Sequence, residues 1–185
     1  MKKLIAFEFI SLDGFMAGPP GQEMDFVVSG FNSEMEHDLA DQYHALDAFV
    51  MGKTTFQSLA DYWPTPAAES EVLYETMNSM EKLVCSTTLT ELTWSNSRTL
   101  GPDAASEIES LKHTPGKDLM IIGSASLVQA FSRKNLVDEF RFFIFPVFLG
   151  AGKPLFDMNS SALPLRLFQT RRFATGVLRA DYGRT

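Results

Sequence analysis

The alternation of short apolar runs with segments of helical pattern is the feature that most constrains the fold of this chain. Strands are predicted at residues 3–11, 47–51, 82–86 and 118–122, the first and the last of them buried. Helices are predicted at residues 33–46, 54–59, 68–79, 102–113 and 125–134. Alternation of this kind is typical of a parallel sheet whose strands are joined by helical crossovers.

The last third of the chain has strand patterns with no helix between them. These patterns cover residues 138–149, 165–173 and 176–183. Pro146 lies inside the first run, which predicts a bulge or a sheet edge there. A polar stretch at 92–100 predicts one or two short edge strands. We therefore expect one mixed α/β domain over residues 1–185, in which antiparallel strands extend a mostly parallel sheet.

The helix predicted at 33–46 has a recognisable start and a recognisable buried face. Ser33 can cap it, and Glu36 stands three positions later, which is the spacing of a capping box. Asp38 is expected nearer to solvent than Glu36, which borders the buried face. The apolar stripe of this helix consists of Met35, Leu39, Tyr43 and Leu46.

Charge and residue usage exclude several classes of function. With 16 basic and 23 acidic side chains the net charge is −7, which argues against nucleic acid or an anionic membrane surface as the main partner. No apolar run approaches the roughly 20 residues of a membrane span. Glu8 and Asp13 interrupt the apolar N-terminus, so we expect no export signal and a cytoplasmic protein. The histidines and the single cysteine, Cys85, lack zinc spacing, so no metal site is expected.

Small, hydroxyl-bearing or basic residues follow three of the predicted parallel strands, where ligands of open α/β sheets bind. A helix start with free N–H groups suits a phosphate, and small residues let a pyrophosphate approach the backbone. A capped helix or a simple turn is the alternative that each group, taken alone, leaves open. The groups are Gly52-Lys53-Thr54-Thr55, Ser86-Thr87-Thr88 and Gly123-Ser124-Ala125-Ser126.

The first strand ends in a fourth group, Leu12-Asp13-Gly14-Phe15. Gly14 permits a tight loop, and Asp13 brings a carboxylate to the same rim of the sheet. An Asp-Gly turn without any chemical role is the alternative.

These groups resemble, in one order along residues 3–182, the dihydrofolate-reductase-like family that includes the C-terminal reductase domain of the bifunctional riboflavin-biosynthesis protein. The most specific segments are Ser11-Leu12-Asp13-Gly14-Phe15 and the run from Pro146 to Phe156, P-V-F-L-G-A-G-K-P-L-F. The resemblance implies a three-layer reductase fold, a homodimer, and NADPH bound across the carboxyl edge of the sheet.

The resemblance also implies roles for the strand-end groups. Phosphates would contact Gly52, Lys53, Thr54 and Thr55, the adenosine 2′-phosphate would lie near Ser86 and Thr87, and the pyrophosphate would lie on Gly123, Ser124, Ala125 and Ser126. The nicotinamide and the substrate would face Leu12, Asp13, Gly14 and Phe15. Two positions depart from the family pattern: Lys53 replaces a usual arginine, and Ser124 replaces the second residue of a usual glycine pair.

The expected reaction is hydride transfer from NADPH to a small pyrimidine- or pterin-like heterocycle. A carboxylic acid can assist protonation, and Asp13 and Glu36 are the candidates. The sequence has neither the H-x-E nor the P-C-x-x-C pattern of a zinc deaminase. The substrate is therefore not fixed by the resemblance, and a non-catalytic NADP-binding regulatory module is the alternative.

The phenylalanines of the run at 138–149 suggest how the protein assembles. Alternation along a strand cannot place all of them on one buried face. We therefore expect a second subunit to cover some of them, in a two-fold dimer. The residues are Phe140, Phe142, Phe143, Phe145 and Phe148.

Overall fold

The structure is a computed structural model that describes residues 1–156 and 162–185. Its strands are β1 (Leu4–Ser11), β2 (Phe15–Ala17), β3 (Leu46–Gly52), β4 (Glu81–Cys85), β5 (Ser97–Leu100), β6 (Asp118–Ile122), β7 (Glu139–Phe145), β8 (Lys153–Pro154), β9 (Leu165–Arg172) and β10 (Leu178–Arg184). Its α-helices are α1 (Asp25–Gly30), α2 (Ser33–Tyr43), α3 (Lys53–Ala60), α4 (Tyr74–Ser79), α5 (Ala104–Lys112) and α6 (Ala125–Arg133). None of the helices described is long and apolar enough to cross a membrane.

Eight of the strands form one sheet in the order β5-β4-β3-β6-β1-β7-β10-β9. The first six are parallel to one another, while β10 runs antiparallel to β7, and β9 runs antiparallel to β10. The predicted α/β fold, with a mostly parallel sheet and antiparallel C-terminal strands, is therefore confirmed. A second sheet of two strands pairs β2 with β8.

Several predicted boundaries differ from the structure for local reasons. The helix predicted at 68–79 is a 3₁₀ turn at Pro66–Ala68 followed by turns and the short α4. The run predicted at 138–149 ends as a strand at Phe145, because Pro146 cannot donate to a sheet ladder. The stretch at 92–100 contributes one strand, β5. The helix α1 and the short strand β2 were not predicted from the sequence.

The start of α2 differs from the predicted capping box. The N-cap is Asn32, whose side chain accepts a hydrogen bond from the Met35 amide, so Ser33 is already inside the helix. The Glu36 carboxylate reaches away from the helix start and accepts a hydrogen bond from the Val72 amide at 3.2 Å. The reason is that Asn32 offers the same short acceptor one residue earlier.

The sheet separates two layers of apolar packing. On one face, Ile5 and Phe7 of β1 pack with buried residues of α1, α2, α3 and α4. On the other face, Leu4 and Ala6 pack with α5 and α6 and with Met16 of β2. Because both faces are covered, β1 is apolar at successive positions instead of alternating with polar ones.

The phenylalanines of β7 are buried within the chain, so the argument that a partner must cover them is wrong. Phe143 and Phe145 belong to the layer of α1 to α4, while Phe140 and Phe142 belong to the layer of α5 and α6. The two-layer packing therefore accommodates both faces of the strand. Only Phe148, in the loop that follows, is exposed.

A buried ionic network joins α2 to the antiparallel strands. Asp38, which was expected nearer to solvent than Glu36, is only 4% exposed. Its two carboxylate oxygens accept hydrogen bonds from Arg171 at 2.7 Å and from Arg179 at 2.8 Å, and Gln42 adds a third at 2.9 Å. Arg179 also contacts the carboxylate of Asp181, its neighbour on the same face of β10. The arginines explain why an acidic residue lies on the buried side of α2.

We expect Asp38→Ala to destabilise the fold strongly, because it removes one of the two carboxylates that pair with the largely buried Arg179 and leaves the Nη1 donor of Arg179 without its acceptor. Removing one member of a buried ion pair costs about 3–5 kcal/mol. Glu81→Ala is the control, since it breaks the exposed pair with Arg98 and should cost only about 0–1 kcal/mol. Urea unfolding measures both variants, and equally small losses would show that the network contributes little.

Candidate functional site

The four strand-end groups predicted from the sequence meet at one rim of the sheet. The strands β4, β3, β6 and β1 are parallel neighbours in that order, so their carboxyl ends lie side by side. The turns that follow them begin at Ser86, Lys53, Gly123 and Leu12. The prediction that these groups share an edge is thus confirmed by the sheet order.

The turn after β3 and the turn after β6 are in direct contact. The Thr55 hydroxyl donates a hydrogen bond to the Gly123 carbonyl at 2.7 Å. A Cβ on Gly52 would lie 3.0 Å from the Ser124 hydroxyl oxygen, so the Gly52 backbone lies close against the Ser124 side chain. Gly123 has a φ of +64°, and a Cβ there would lie 2.7 Å from the Thr55 methyl carbon. Glycine at 52 and 123 therefore permits this close approach.

Both helices that start at these turns begin without a side-chain cap. The N-caps are Gly52 for α3 and Ser124 for α6, and neither makes a side-chain hydrogen bond to its helix. The other helices of comparable length, α2 and α5, are capped by Asn32 and Asp103. Two adjacent helix starts with free donors provide the partial positive charge that suits an anionic diphosphate.

The predicted pyrophosphate residues do not all contribute in the same way. The Ala125 side chain is buried in the apolar layer, so only its backbone is available to a ligand. The hydroxyls of Ser124 and Ser126 lie 3.5 Å apart, and Ser124 itself is mostly buried. Ser124 therefore fills space that the usual glycine would leave empty.

The β4 turn meets the start of α3 at a cleft of about 520 Å³. Lys53 donates a hydrogen bond from its ammonium group to the Thr88 hydroxyl at 3.3 Å. The Ser86 hydroxyl accepts hydrogen bonds from the Thr88 and Leu89 amides, which shapes the turn and leaves its own proton free to donate. Thr54 and Thr87 are exposed beside them. The cleft also contains acidic residues, Asp61 and Glu91, which oppose an anion on its outer side.

The first-strand loop and the loop after β7 form one unit. The Leu12 amide donates to the Val147 carbonyl at 2.9 Å, and the Leu155 amide donates to the Gly14 carbonyl at 3.0 Å. Phe15 continues this contact, because β2 pairs with β8. The two most specific sequence segments are therefore folded against each other.

Asp13 connects these two loops through its carboxylate. It accepts hydrogen bonds from the Ser11 hydroxyl at 2.6 Å, the Leu149 amide at 3.1 Å and the Gly150 amide at 2.8 Å. The Ser11 hydrogen bond, with the two amides, lowers the pKa of the exposed Asp13 carboxyl to about 2. Asp13 is thus ionised at neutral pH, which favours a positioning role over proton donation.

Glu36, the second candidate acid, accepts a hydrogen bond from the Val72 amide, which lies in the segment that precedes α4. Its catalytic role stays a prediction. The structure does place α2 in the layer that covers the sheet beside β1, which is compatible with access from that side.

Glu8 is a residue of this rim that the sequence reasoning missed. It lies on β1, is 3% exposed, and accepts a hydrogen bond from the Ser124 amide at 2.9 Å. Burial raises the pKa of the Glu8 carboxyl. The Ser124 and Gly123 amides and the charge of Lys153 act in the opposite direction, and the resulting pKa is about 8. An acidic residue inside an otherwise apolar buried strand was the available signal, but it was read only as an interruption of the N-terminal apolar run.

Comparisons with known sequences identify relatives along almost the whole chain. The family described as the RibD C-terminal domain matches residues 2–179. YyaP, an uncharacterized protein of Bacillus subtilis (strain 168), is 33% identical over 186 residues, which cover 98% of this chain and 94% of YyaP. YwjB, another uncharacterized protein of that strain, is 27% identical over 176 residues, which cover 95% of both chains.

Solved structures share the fold. A putative riboflavin biosynthesis protein from Shewanella sp. PV-4 superposes with a TM-score of 0.80 at 24% identity, covering 99% of both chains. Acinetobacter baumannii RibD gives 0.70 at 18% identity, covering 100% of this chain and 58% of RibD. Dihydrofolate reductase from Enterococcus faecalis, complexed with NADP(H), gives 0.66 at 10% identity, covering 99% and 96%. The predicted dihydrofolate-reductase-like fold is thus confirmed.

We expect Asp13→Asn to loosen the loop at Leu149 and Gly150, because an amide has one acceptor oxygen where the carboxylate has two. Hydrogen exchange of those two backbone amides should accelerate, whereas Asp41→Asn, an exposed change on α2, should leave them unchanged. The ionised Asp13 carboxylate stabilises the loop at Leu149 and Gly150. Because its pKa is lowered, this stabilisation is complete above about pH 4 and is lost as the pH falls through about 2. Unchanged exchange in Asp13→Asn would remove Asp13 from this role.

Proposed function

Because the chain belongs to the family of RibD C-terminal domains, we propose that it is an NADPH-dependent reductase of a small pyrimidine- or pterin-like heterocycle. The observation that carries the proposal is the pair of uncapped helix starts at the touching β3 and β6 turns. Solved structures similar to this chain support the proposal, since they include RibD proteins and a dihydrofolate reductase complexed with NADP(H).

The cofactor is proposed to bind along the rim with its phosphates at the centre. The backbone at Gly52, Lys53 and Gly123 would hold the diphosphate, with hydroxyls from Thr54, Thr55, Ser124 and Ser126 around it. The 2′-phosphate would lie near Lys53, Ser86 and Thr87, where a positive charge and a free hydroxyl proton are available. NADPH, once bound, supplies the hydride, and the protein supplies position and exclusion of water.

The substrate is proposed to bind where the loops after β1 and β7 meet. Leu12 is 57% exposed and Phe148 is 74% exposed, and the two segments are joined by the Leu12–Val147 hydrogen bond. Apolar side chains left in solvent beside a carboxylate suit a flat heterocycle that carries N–H donors. Asp13, ionised at neutral pH, would accept from such donors, while Glu36 remains the candidate for proton transfer.

The proposed substrate is a chemical class because two structural neighbours that are similar to this chain are much longer than it. This chain covers 58% of the length of Acinetobacter baumannii RibD. A Thermotoga maritima protein with a TM-score of 0.69 combines a diaminohydroxyphosphoribosylaminopyrimidine deaminase with the reductase. Screening pyrimidines and pterins for substrate-dependent loss of NADPH absorbance tests the proposal directly. Stoichiometric NADPH binding without turnover on any of them would favour the regulatory module instead.

We expect NADPH to bind more tightly than NADH, with Lys53 responsible for much of the difference. A charge-assisted hydrogen bond is worth about 1.5–3 kcal/mol, so Lys53→Ala should weaken NADPH binding by about tenfold or more and leave NADH binding nearly unchanged. Lys134→Ala, at the exposed far end of α6, is the control and should alter neither. Equal affinities of the wild-type protein for both cofactors would contradict the role of Lys53.

We also propose that the chain forms a homodimer. Its interface is proposed to include β9 and not the β7 phenylalanines, which are buried within the chain. The strand β9 is the edge of the sheet, and Leu167 and Phe168 on it are 48% and 45% exposed. An edge strand that exposes large apolar side chains is a surface that proteins ordinarily pair or cover. A cytoplasmic location also stays a prediction.

Light scattering is expected to give about twice the chain mass of 20.6 kDa. Leu167→Lys should shift the protein toward the monomer, because a charge on an edge strand opposes pairing. Val72→Lys, at an equally exposed apolar position outside β9, should not. A wild-type monomer at micromolar concentration would refute the dimer.

A further inference from the structure

Glu8 accepts a hydrogen bond from the backbone amide of Ser124, the N-cap residue of α6, and leaves the amides of the first helical turn uncapped. The strand β1 places Glu8 on the same face as Leu4 and Ala6, in the layer of α5 and α6. There its carboxylate accepts a hydrogen bond from the Ser124 amide at 2.9 Å. A backbone donor of the turn at the proposed diphosphate site is therefore bound to a buried acidic side chain of the protein.

We propose that Glu8 is a positioning residue that couples anion binding at the β6–α6 turn to the uptake of one proton by its carboxyl group. The inference rests on the proposed function, because the anion in question is the diphosphate of the cofactor. An ionised Glu8 next to the turn repels that anion and holds the Ser124 N–H dipole toward itself. A neutral Glu8 still accepts from Ser124 through one oxygen, so the turn keeps its shape without the repulsion. The proton comes from solvent and returns there on release.

The surroundings of Glu8 make this coupling operate just above neutral pH. Burial raises the pKa of Glu8 to about 8, and the positive charge of Lys153 on β8 acts in the opposite direction. From α2, Tyr43 is the other ionisable group involved: its own pKa is raised by burial and by Glu8, so it stays neutral. The register partner of Glu8 on β7 is the apolar Phe142. The group that changes charge in this environment is therefore Glu8.

The direction of the effect follows from linkage. Below about pH 8 Glu8 is largely neutral in the free protein, and the anion binds without a net change in protonation. As the pH rises through about 8, the free protein loses the proton that the complex keeps. Affinity then falls by up to tenfold for each further pH unit, until the carboxyl of the complex also ionises.

The experiment is a titration of NADPH at a series of pH values on both sides of that pKa, followed by tryptophan fluorescence. The wild-type protein should lose affinity above about pH 8, whereas Glu8→Gln, a neutral residue of the same shape, should have a flat profile there. Glu109→Gln is the matched control, because it removes one exposed carboxylate on α5 and should retain the wild-type profile. Calorimetry in two buffers should show proton uptake by the wild-type protein above about pH 8 and none by Glu8→Gln.

Parallel pH profiles in the wild type and in Glu8→Gln, without a difference in proton uptake, would overturn the proposal. If Glu8→Gln does not fold, carboxyl-carbon NMR of the wild-type protein decides instead: the titration midpoint of Glu8 should rise when NADPH is added, and an unmoved midpoint refutes the coupling. If the wild-type protein does not bind NADPH, the proposed function fails on its own. Inorganic pyrophosphate then replaces NADPH as the probe, and absence of binding or of pH dependence overturns the role of Glu8 as well.

Discussion

The insertion of β1 between β6 and β7 is the constraint on which the rest of the structure depends. Phe7 is in register with Ile122 on one side and with Arg141 on the other, so the first strand of the chain joins segments that come more than a hundred residues later. Loss of this pairing would separate Glu8 from Ser124 and Asp13 from the loop after β7. The positions of the two rim carboxylates, Glu8 and Asp13, therefore depend on long-range strand pairing. This pairing has an entropic cost, which the burial of apolar residues on both faces of β1 must offset.

Hydrogen bonds continue this dependence across the carboxyl rim. Lys53 joins the β3 turn to the β4 turn, Thr55 joins it to the β6 turn, Glu8 joins β1 to the β6 turn, and Asp13 joins β1 to the loop after β7. Every neighbouring pair from β4 to β7 is thus linked at the edge where ligands of such sheets bind. A ligand that spans the rim meets groups already held in place, which lowers the entropic cost of binding.

The sequence allowed the sheet to be predicted better than its polar interior. Apolar runs identified the central strands because burial on both faces requires them, and the strand-end groups could be placed on one edge because parallel strands share it. Asp38 and Glu8 were misjudged for one physical reason. Their positions are favourable only with partners distant in sequence, Arg179 and Ser124, and periodicity within one helix or strand carries no information about those partners. The β7 phenylalanines were misassigned because the second apolar layer was not counted.

Asp13 and Glu8 show how one strand and its loop produce two opposite protonation states. Asp13 is exposed and receives three hydrogen bonds, which favour the charged form, whereas Glu8 is buried, which favours the neutral form. At neutral pH the rim is consequently negative beside the loop after β7 and lacks that charge beside the β6 turn. A ligand with phosphates at one end and a ring with N–H donors at the other would find each end matched to a different carboxyl group. The same asymmetry disfavours the reversed orientation, since phosphates placed at Asp13 would meet a fixed negative charge.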